Sequence, residues 1–330
     1  MLNAALLVEG RRTVVSLTHE LPNDFLDEEP RTLVVPPKRK RVWAVLVDLL
    51  LEFDRVCREN GLRYFAEGGT LLGAARHHGF IPWDDDMDVS MCRADYNKLC
   101  DVAPTAFSTP YFFQTNVTDP GSARGHAQLR NSDTAAFLKS EMKGGKPLWR
   151  FNQGIFLDIF PFDNIPDDEE ERRLFLAEIN SVKDEIRYWR MVHLGSRITD
   201  VSGVRSFLKY LRTKRDIMVE RIHDCDMVGE CCAKLECILQ RYINRKTKFR
   251  APIAFDPYHR EILPSYLFEE EPSTLQFEFL EIPVYSRYDV ALQINYGKNW
   301  TEHVIGVNDH GGMVIDVERS YRDYFCDNIV

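Results

Sequence analysis

Residues 83–89, Trp83-Asp84-Asp85-Asp86-Met87-Asp88-Val89, set four carboxylates within five positions, between apolar neighbours Phe80-Ile81-Pro82 and Val89-Ser90-Met91. Apolar flanks draw the segment inward, whereas ionised carboxylates resist leaving water. An extended backbone eases the conflict, because its side chains alternate between two faces. Asp84, Asp86 and Asp88 then share one face, and a strand is predicted from Asp86 to Met91. Carboxylates packed so closely raise one another's pKa unless a cation neutralises them, and their hard oxygens suit Mg²⁺ or Mn²⁺. The bland alternative is a charge run facing water in a loop or helix cap.

The flanking sequence predicts the elements around this strand. Val42, Val45, Leu46, Leu49, Phe53, Val56 and Cys57 follow a helical period that ends at Asn60-Gly61. Leu62 to Ala66 reads as a short strand, followed by the Gly68-Gly69-Thr70 turn and a short helix through Arg76. Further strands are expected at Tyr111 to Thr115, His126 to Arg130 and Gly154 to Phe160. Asp167-Asp168-Glu169-Glu170-Glu171 opens a charged helical stretch, so residues from about 166 to 250 read as a helical insertion. Strands at Leu275 to Phe279 and Ile282 to Tyr285 come next. Ser286 and Asp289 then form a capping-box pattern for a helix closing at Gly297. The fold class is α+β with a helical insert. Residues 1–40 read as an N-terminal extension and 41–330 as the catalytic domain.

Two features bear on the acidic strand. Gly68-Gly69-Thr70 lets backbone approach a ligand closely beside a helix N-terminus, where amide hydrogens favour phosphate. Asp158 interrupts the apolar run Gly154 to Pro161, and an ionised carboxylate in a buried strand needs a compensating partner. A strand, a Gly-Gly turn, a short helix and then Asp-x-Asp resembles nucleotidyltransferase-fold enzymes, which take a third carboxylate from a later strand. Pairing with an Arg or capping a turn is the plainer reading of Asp158.

The run from Phe65 to Val89, with Glu67-Gly68-Gly69-Thr70-Leu71-Leu72-Gly73 and Trp83-Asp84-Asp85-Asp86-Met87-Asp88, resembles the signature of the LicD family, which includes the fukutin-related proteins. Leu129-Arg130-Asn131-Ser132-Asp133-Thr134, Phe156-Leu157-Asp158-Ile159-Phe160-Pro161, Ile282-Pro283-Val284-Tyr285 and Asn295-Tyr296-Gly297-Lys298 agree with it. The resemblance spans about residues 42 to 300. It implies a nucleotidyltransferase-like mixed sheet flanked by helices. The implied activity moves a phosphorylated alcohol from a CDP donor to a glycan hydroxyl: phosphocholine in bacterial members, ribitol phosphate in eukaryotic ones. Carried over by motif, Asp86, Asp88 and Asp158 are catalytic residues and ligands of Mg²⁺ or Mn²⁺, with Asp84 joining them at the metal. Gly68, Gly69, Thr70, Arg76 and Arg130 are expected to contact the phosphates of the donor, whether CDP-choline, CDP-ribitol or CDP-glycerol. The competing readings are a nucleotidyltransferase releasing pyrophosphate and an inert sugar- or nucleotide-binding module.

Composition narrows the rest. A net charge of −9 over 330 residues disfavours a general nucleic-acid binder. The longest apolar stretch, Val42 to Phe53, contains Asp48 and Glu52 and is too short to span a bilayer. The N-terminus lacks a basic n-region, so the expected location is the cytoplasm, or the inner membrane face if the glycan acceptor is lipid-linked. With no sign of export, the eight cysteines read as thiols. Cys225, Cys231, Cys232 and Cys237 raise a zinc site, yet their spacing matches no standard finger, and Cys231 and Cys232 fall on one apolar helical stripe. A zinc-binding insert occurs in the fukutin-related branch.

Overall fold

The computed structural model describes residues 17–27, 35–195, 204–223, 225–255, 261–302 and 312–326. Helix α1, Pro37–Glu59, starts where Pro37 fixes φ in the first turn. The basic run Lys38 to Arg41 therefore belongs to α1, and the expected boundary at residue 40 falls inside a helix. Most of its side chains are buried, Trp43, Leu46, Leu49 and Phe53 among the largest. Burial of each such side chain is worth about 1.5–3 kcal/mol. Its two buried acids are accounted for. Asp48 accepts from the backbone of Thr18 and His19 at 3.0 and 2.8 Å and from the Tyr111 hydroxyl at 2.9 Å. Glu52 accepts from Arg55.

Strand β1 (Phe65–Ala66), helix α2 (Gly68–His77), strand β2 (Asp88–Cys92), helix α3 (Arg93–Ala106) and strands β3 (Tyr111–Gln114) and β4 (Ala127–Asn131) follow. Next are β5 (Ala135–Leu138), a hairpin of β6 (Met142–Lys143) and β7 (Lys146–Pro147), and the long strand β8 (Ile155–Ile165). Helices α4 (Glu169–Gly195), α5 (Val204–His223) and α6 (Met227–Leu239) make the span from about 166 to 250 helical, before β9 (Phe249–Ala251) and β10 (Leu263–Pro264). Helix α7 (Tyr266–Glu269), the hairpin β11–β12 (Ser273–Phe277 and Leu280–Val284), helix α8 (Tyr288–Tyr296), strand β13 (Met313–Asp316) and helix α9 (Asp323–Cys326) complete the chain.

The result is a mixed α/β architecture. Among the described residues one seven-stranded sheet has the central order β1-β2-β8-β4-β3, with β9 and β10 continuing from β8. Only β2 and β8 run parallel within it. Met87, Val89, Met91, Leu157 and Ile159 point into the core shared with α1. The opposite face carries Asp88 and Ser90 of β2 and Asp158 of β8, the last set between Phe156 and Phe160. In the insertion, Phe175, Ile179 and Val182 of α4 pack on Cys231, Leu235 and Ile238 of α6, a separate core.

Three expectations change. The acidic strand begins at Asp88 rather than Asp86, since pairing with β8 starts there. The first strand keeps only two of five expected residues. No capping box forms before α8, because the Ser286 hydroxyl donates to Glu270 and Arg287 takes the N-cap position.

Candidate functional site

Register builds the site. Asp88 on β2 lies opposite Asp158 on β8, and Asp158 lies opposite Gln128 on β4, so three polar residues form one row across adjacent strands. Asp84, whose amide closes a turn onto the Ile81 carbonyl at 2.9 Å, and Asp86 precede β2, and the Met87 carbonyl already accepts from the Asp158 amide at 2.9 Å. Met87 is fully buried on the core side, so alternation sends Asp86 and Asp88 to the polar face, as the sequence predicts. Trp43 of α1 fixes this approach by donating its indole N–H to the Asp84 carbonyl at 2.8 Å, with its ring stacked on Phe80.

The Gly-Gly pair makes room for the acids. A Cβ on Gly69 would lie 2.7 Å from Asp84 Oδ2, and one on Gly68, whose φ is +53°, would lie 3.1 Å from Asp88 Oδ2. Two carboxylates thus rest against the N-terminus of α2, where amide hydrogens favour negative charge. Thr70 hydroxyl oxygen accepts from the Asp88 amide at 2.9 Å, tying the first turn of α2 to β2. Glu67 caps α2 and accepts from Tyr285 and Asn295 at 2.5 and 3.3 Å. Tyr285 also shares a 2.6 Å hydrogen bond with Ser90.

Charge is crowded here. Burial, then Asp88 and Asp84, push the Asp86 carboxyl well above its usual range. Burial, then Asp158, Asp84 and Glu67, do the same to Asp88. Asp158 moves the other way. Burial would raise it, but His126 and Gln128, each bonded to Oδ1 at 2.9 and 2.6 Å, hold it below the normal value. An ionised Asp158 fixes the His126 tautomer with its proton on Nε2. Among the described residues no three His, Cys, Asp or Glu side chains are drawn together closely enough to form a ready metal cage. Even so, the donor chemistry fits a hard divalent cation: oxygen ligands only, whose mutual repulsion a cation would relieve.

Of the other expected residues, Arg130 and Arg76 are each engaged within the chain. Arg130 is buried beneath the row, donating to Gln114 and Gly154 at 2.6 Å each and to Gln128. Burial pulls its guanidinium down to about 9. It orients Gln128, which in turn orients Asp158. Arg76 leaves the carboxylates altogether and donates to the backbone of Trp300 and Glu302 at 3.3 and 2.8 Å. Among the sulfurs, Cys237 is exposed while Cys231 is buried in the insertion core, so they do not face a common point.

A cavity of about 1180 Å³ reaches the Asp158 and Gln128 end of this row. His126, Gln128, Phe156 and Asp158 line its sheet side, and Arg190 of α4 and Cys232 of α6 line its helical side. Asp158 is in its wall; Asp84, Asp86 and Asp88 lie beyond it. Glu67, His126 and Gln128 are site residues that the sequence reading passed over. The signal for the last two was present in His126-Ala127-Gln128-Leu129-Arg130, a strand whose polar and apolar residues alternate.

Residues 61–179 match the family model for the LicD/FKTN/FKRP nucleotidyltransferase domain. The chain carries a LicD-family domain. Over 125 residues it is 34% identical to the lipopolysaccharide cholinephosphotransferase LicD of Haemophilus influenzae, covering 38% of this chain and 44% of that protein. Over 59 residues it is 39% identical to an uncharacterized protein of Rickettsia prowazekii, covering 18% and 22%. Over 35 residues it is 57% identical to the ribitol 5-phosphate transferase FKRP of Homo sapiens, covering 11% and 7%. The chain spans less than half the length of the curated relatives it matches. The LicD domain contains Glu67, all four aspartates, His126 and Gln128, while α1, α5, α6 and the β11–β12 hairpin lie outside it.

Proposed function

We propose that this chain is a metal-dependent transferase that moves a phosphorylated alcohol, phosphocholine first among the cargoes, from a CDP-linked donor to a hydroxyl of a cell-envelope glycan, releasing CMP. The observation that carries this reading is the row Asp88, Asp158 and Gln128, flanked by Asp84 and Asp86, whose Asp158 and Gln128 line a cavity of about 1180 Å³. That volume exceeds the roughly 300–1,000 Å³ of ordinary small-molecule sites, room enough for a nucleotide-linked donor. The relatives support the class of cargo, since one is named for choline phosphate and another for ribitol 5-phosphate.

Mg²⁺ or Mn²⁺ would be held by Asp86, Asp88 and Asp158, with Asp84 beside them. When bound, the cation supplies neutralisation of the charge that builds on the donor diphosphate. The chain's own residues prepare for this. Gly68 and Gly69 let Asp84 and Asp88 sit at the amide end of α2, and Thr70 fixes the backbone of Asp88. Asp158, held low by His126 and Gln128, is a strong ligand and a weak base, which favours holding a cation over accepting a proton. A strong base is not required, because phosphoryl transfer through a loose transition state depends mainly on positioning and charge stabilisation.

The test is to incubate the purified chain with CDP-choline, CDP-ribitol or CDP-glycerol, with Mn²⁺ or with a chelator, and to measure CMP. Metal-dependent CMP release from one donor is the expected result. Pyrophosphate release from CTP in its place would support nucleotidyl transfer. No turnover together with no Mn²⁺ binding would support a binding module.

A further inference from the structure

Helix α5, Val204–His223, faces the wrong way for a helix of a water-bathed domain. Its inward side is polar. Thr213, Asp216 and Glu220 are buried, with Asp216 accepting from the Tyr188 hydroxyl at 2.7 Å and Glu220 paired with His193 at 2.8 Å, both on α4. The outward side carries Phe207, Leu208, Leu211, Met218, Val219 and Ile222, which are between 44% and 66% exposed. At 100° per residue these six fall within one stripe about 120° wide, opposite the buried acids. Large apolar residues scattered singly over a surface need no explanation, but six on one face of a single helix do.

The charges around the stripe say what covers it. Helix α5 carries six Lys and Arg against two acids, in a chain whose net charge is −9. Arg212 flanks one edge of the stripe and Lys214 and Arg221 the other, all exposed. Arg215 lies within the stripe and pairs with Asp216. Both acids of the helix are turned inward, so the exposed side presents apolar and cationic groups. An apolar stripe bordered on both sides by long cationic side chains suits the plane of a bilayer. There the apolar residues enter the acyl boundary and the cations reach back to lipid phosphates. A second copy of the chain fits poorly, because self-pairing through this face would bring Arg212, Lys214 and Arg221 of both copies together. Among the described residues no helix is long and apolar enough to cross a membrane, so α5 would lie on the surface rather than span it.

We propose that α5 docks this protein on an anionic lipid surface through Phe207, Leu208, Leu211, Met218, Val219 and Ile222, with Arg212, Lys214 and Arg221 on the headgroups. The proposal does not depend on the transferase reading. It is tested by co-sedimenting the full chain with vesicles of phosphatidylcholine alone or mixed with phosphatidylglycerol. The expected result is binding to the mixed vesicles, weaker binding to the neutral ones, and loss of that preference as salt is raised. Leu211→Glu with Ile222→Glu is expected to lower partitioning about tenfold or more while leaving the circular-dichroism melt unchanged. Met218→Ser, a milder change, should lower it by a smaller factor. Arg212→Glu with Lys214→Glu should remove the anionic preference. Failure of the wild-type chain to sediment with mixed vesicles, or equal binding by the Leu211/Ile222 variant, would overturn the proposal. So would sedimentation velocity showing a wild-type dimer that the same variant turns into a monomer.

Discussion

The polar row on β2, β8 and β4 and the outer face of α5 break the burial rule in opposite directions. At the row, Asp84, Asp86 and Asp88 are packed against an apolar sheet where charge is costly; on α5, six large apolar residues face outward where they cost contact with water. Folding alone explains neither, since a substitution in each case would remove the conflict. In the two proposals above each conflict is relieved from outside the chain, by a cation at one and a low-polarity surface at the other. The two regions also differ in support. The row is held by Trp43, Thr70, Gln128 and Arg130, whereas α5 is held through its inward acids.

That contrast can be broken by experiment. Asp88→Asn should lower CMP release by about 10³-fold or more, the scale of losing a group that positions transition-state charge, and should leave the circular-dichroism spectrum intact. Near-normal turnover would remove the row from the chemistry. Mg²⁺ at 100 times its dissociation constant should stabilise the chain by about 2.7 kcal/mol, read as a rise in Tm, and Asp86→Asn should cancel most of that rise.

The pH dependence carries a sign. Asp86 and Asp88 are raised in the fold, so the folded chain keeps protons that the unfolded chain has released above the ordinary value of 3.8. Their contribution is complete below that value and is lost as pH rises through the folded range. A metal-free melt should therefore lose Tm as pH rises above the ordinary carboxyl value in the wild type, less so in Asp86→Asn. Equal slopes in the two proteins would contradict the crowding.

Smaller effects sharpen the picture. Gly69→Ala, whose Cβ would meet Asp84 Oδ2 at 2.7 Å, should cost about 1–3 kcal/mol in a denaturant titration and weaken Mn²⁺ binding. Glu220→Ala, which removes acceptors for His193 and for the Met227 amide, should cost about 1–2 kcal/mol. On the other side of the same helix, Ile222→Ser should change stability by less than about 0.5 kcal/mol. A large loss there would mean that the stripe is covered within the fold.

Period-two alternation made the row largely legible in advance. It turned Asp86 and Asp88 to one side and Met87 to the other, and an acid isolated in an apolar run singled out Asp158. It could not reveal that β2 starts two residues late, because that depends on where β8 begins to pair. Arg76 and Arg130 show the limit of residue type as a guide: both suit phosphate, yet backbone carbonyls and glutamines claim them. Ser286 shows the same for capping, where Glu270 outcompetes the helix amides. The helical period of α5 is plain from Leu208, Leu211, Val219 and Ile222, but a period does not say which side faces inward. That was decided by Tyr188 and His193, which offer hydrogen bonds to acids and nothing to leucines.

Asp158 is in the cavity wall, with Asp88 beside it on the neighbouring strand, so the cavity is shared between two parts of the chain. The LicD domain carries the four aspartates, while α6 and most of α4, which lie beyond the matched span, line the opposite side of the cavity. Under the transferase reading proposed above, cargo preference drifts by replacing the helical roof with the sheet beneath left untouched, so two such chains would share every aspartate and still move different alcohols.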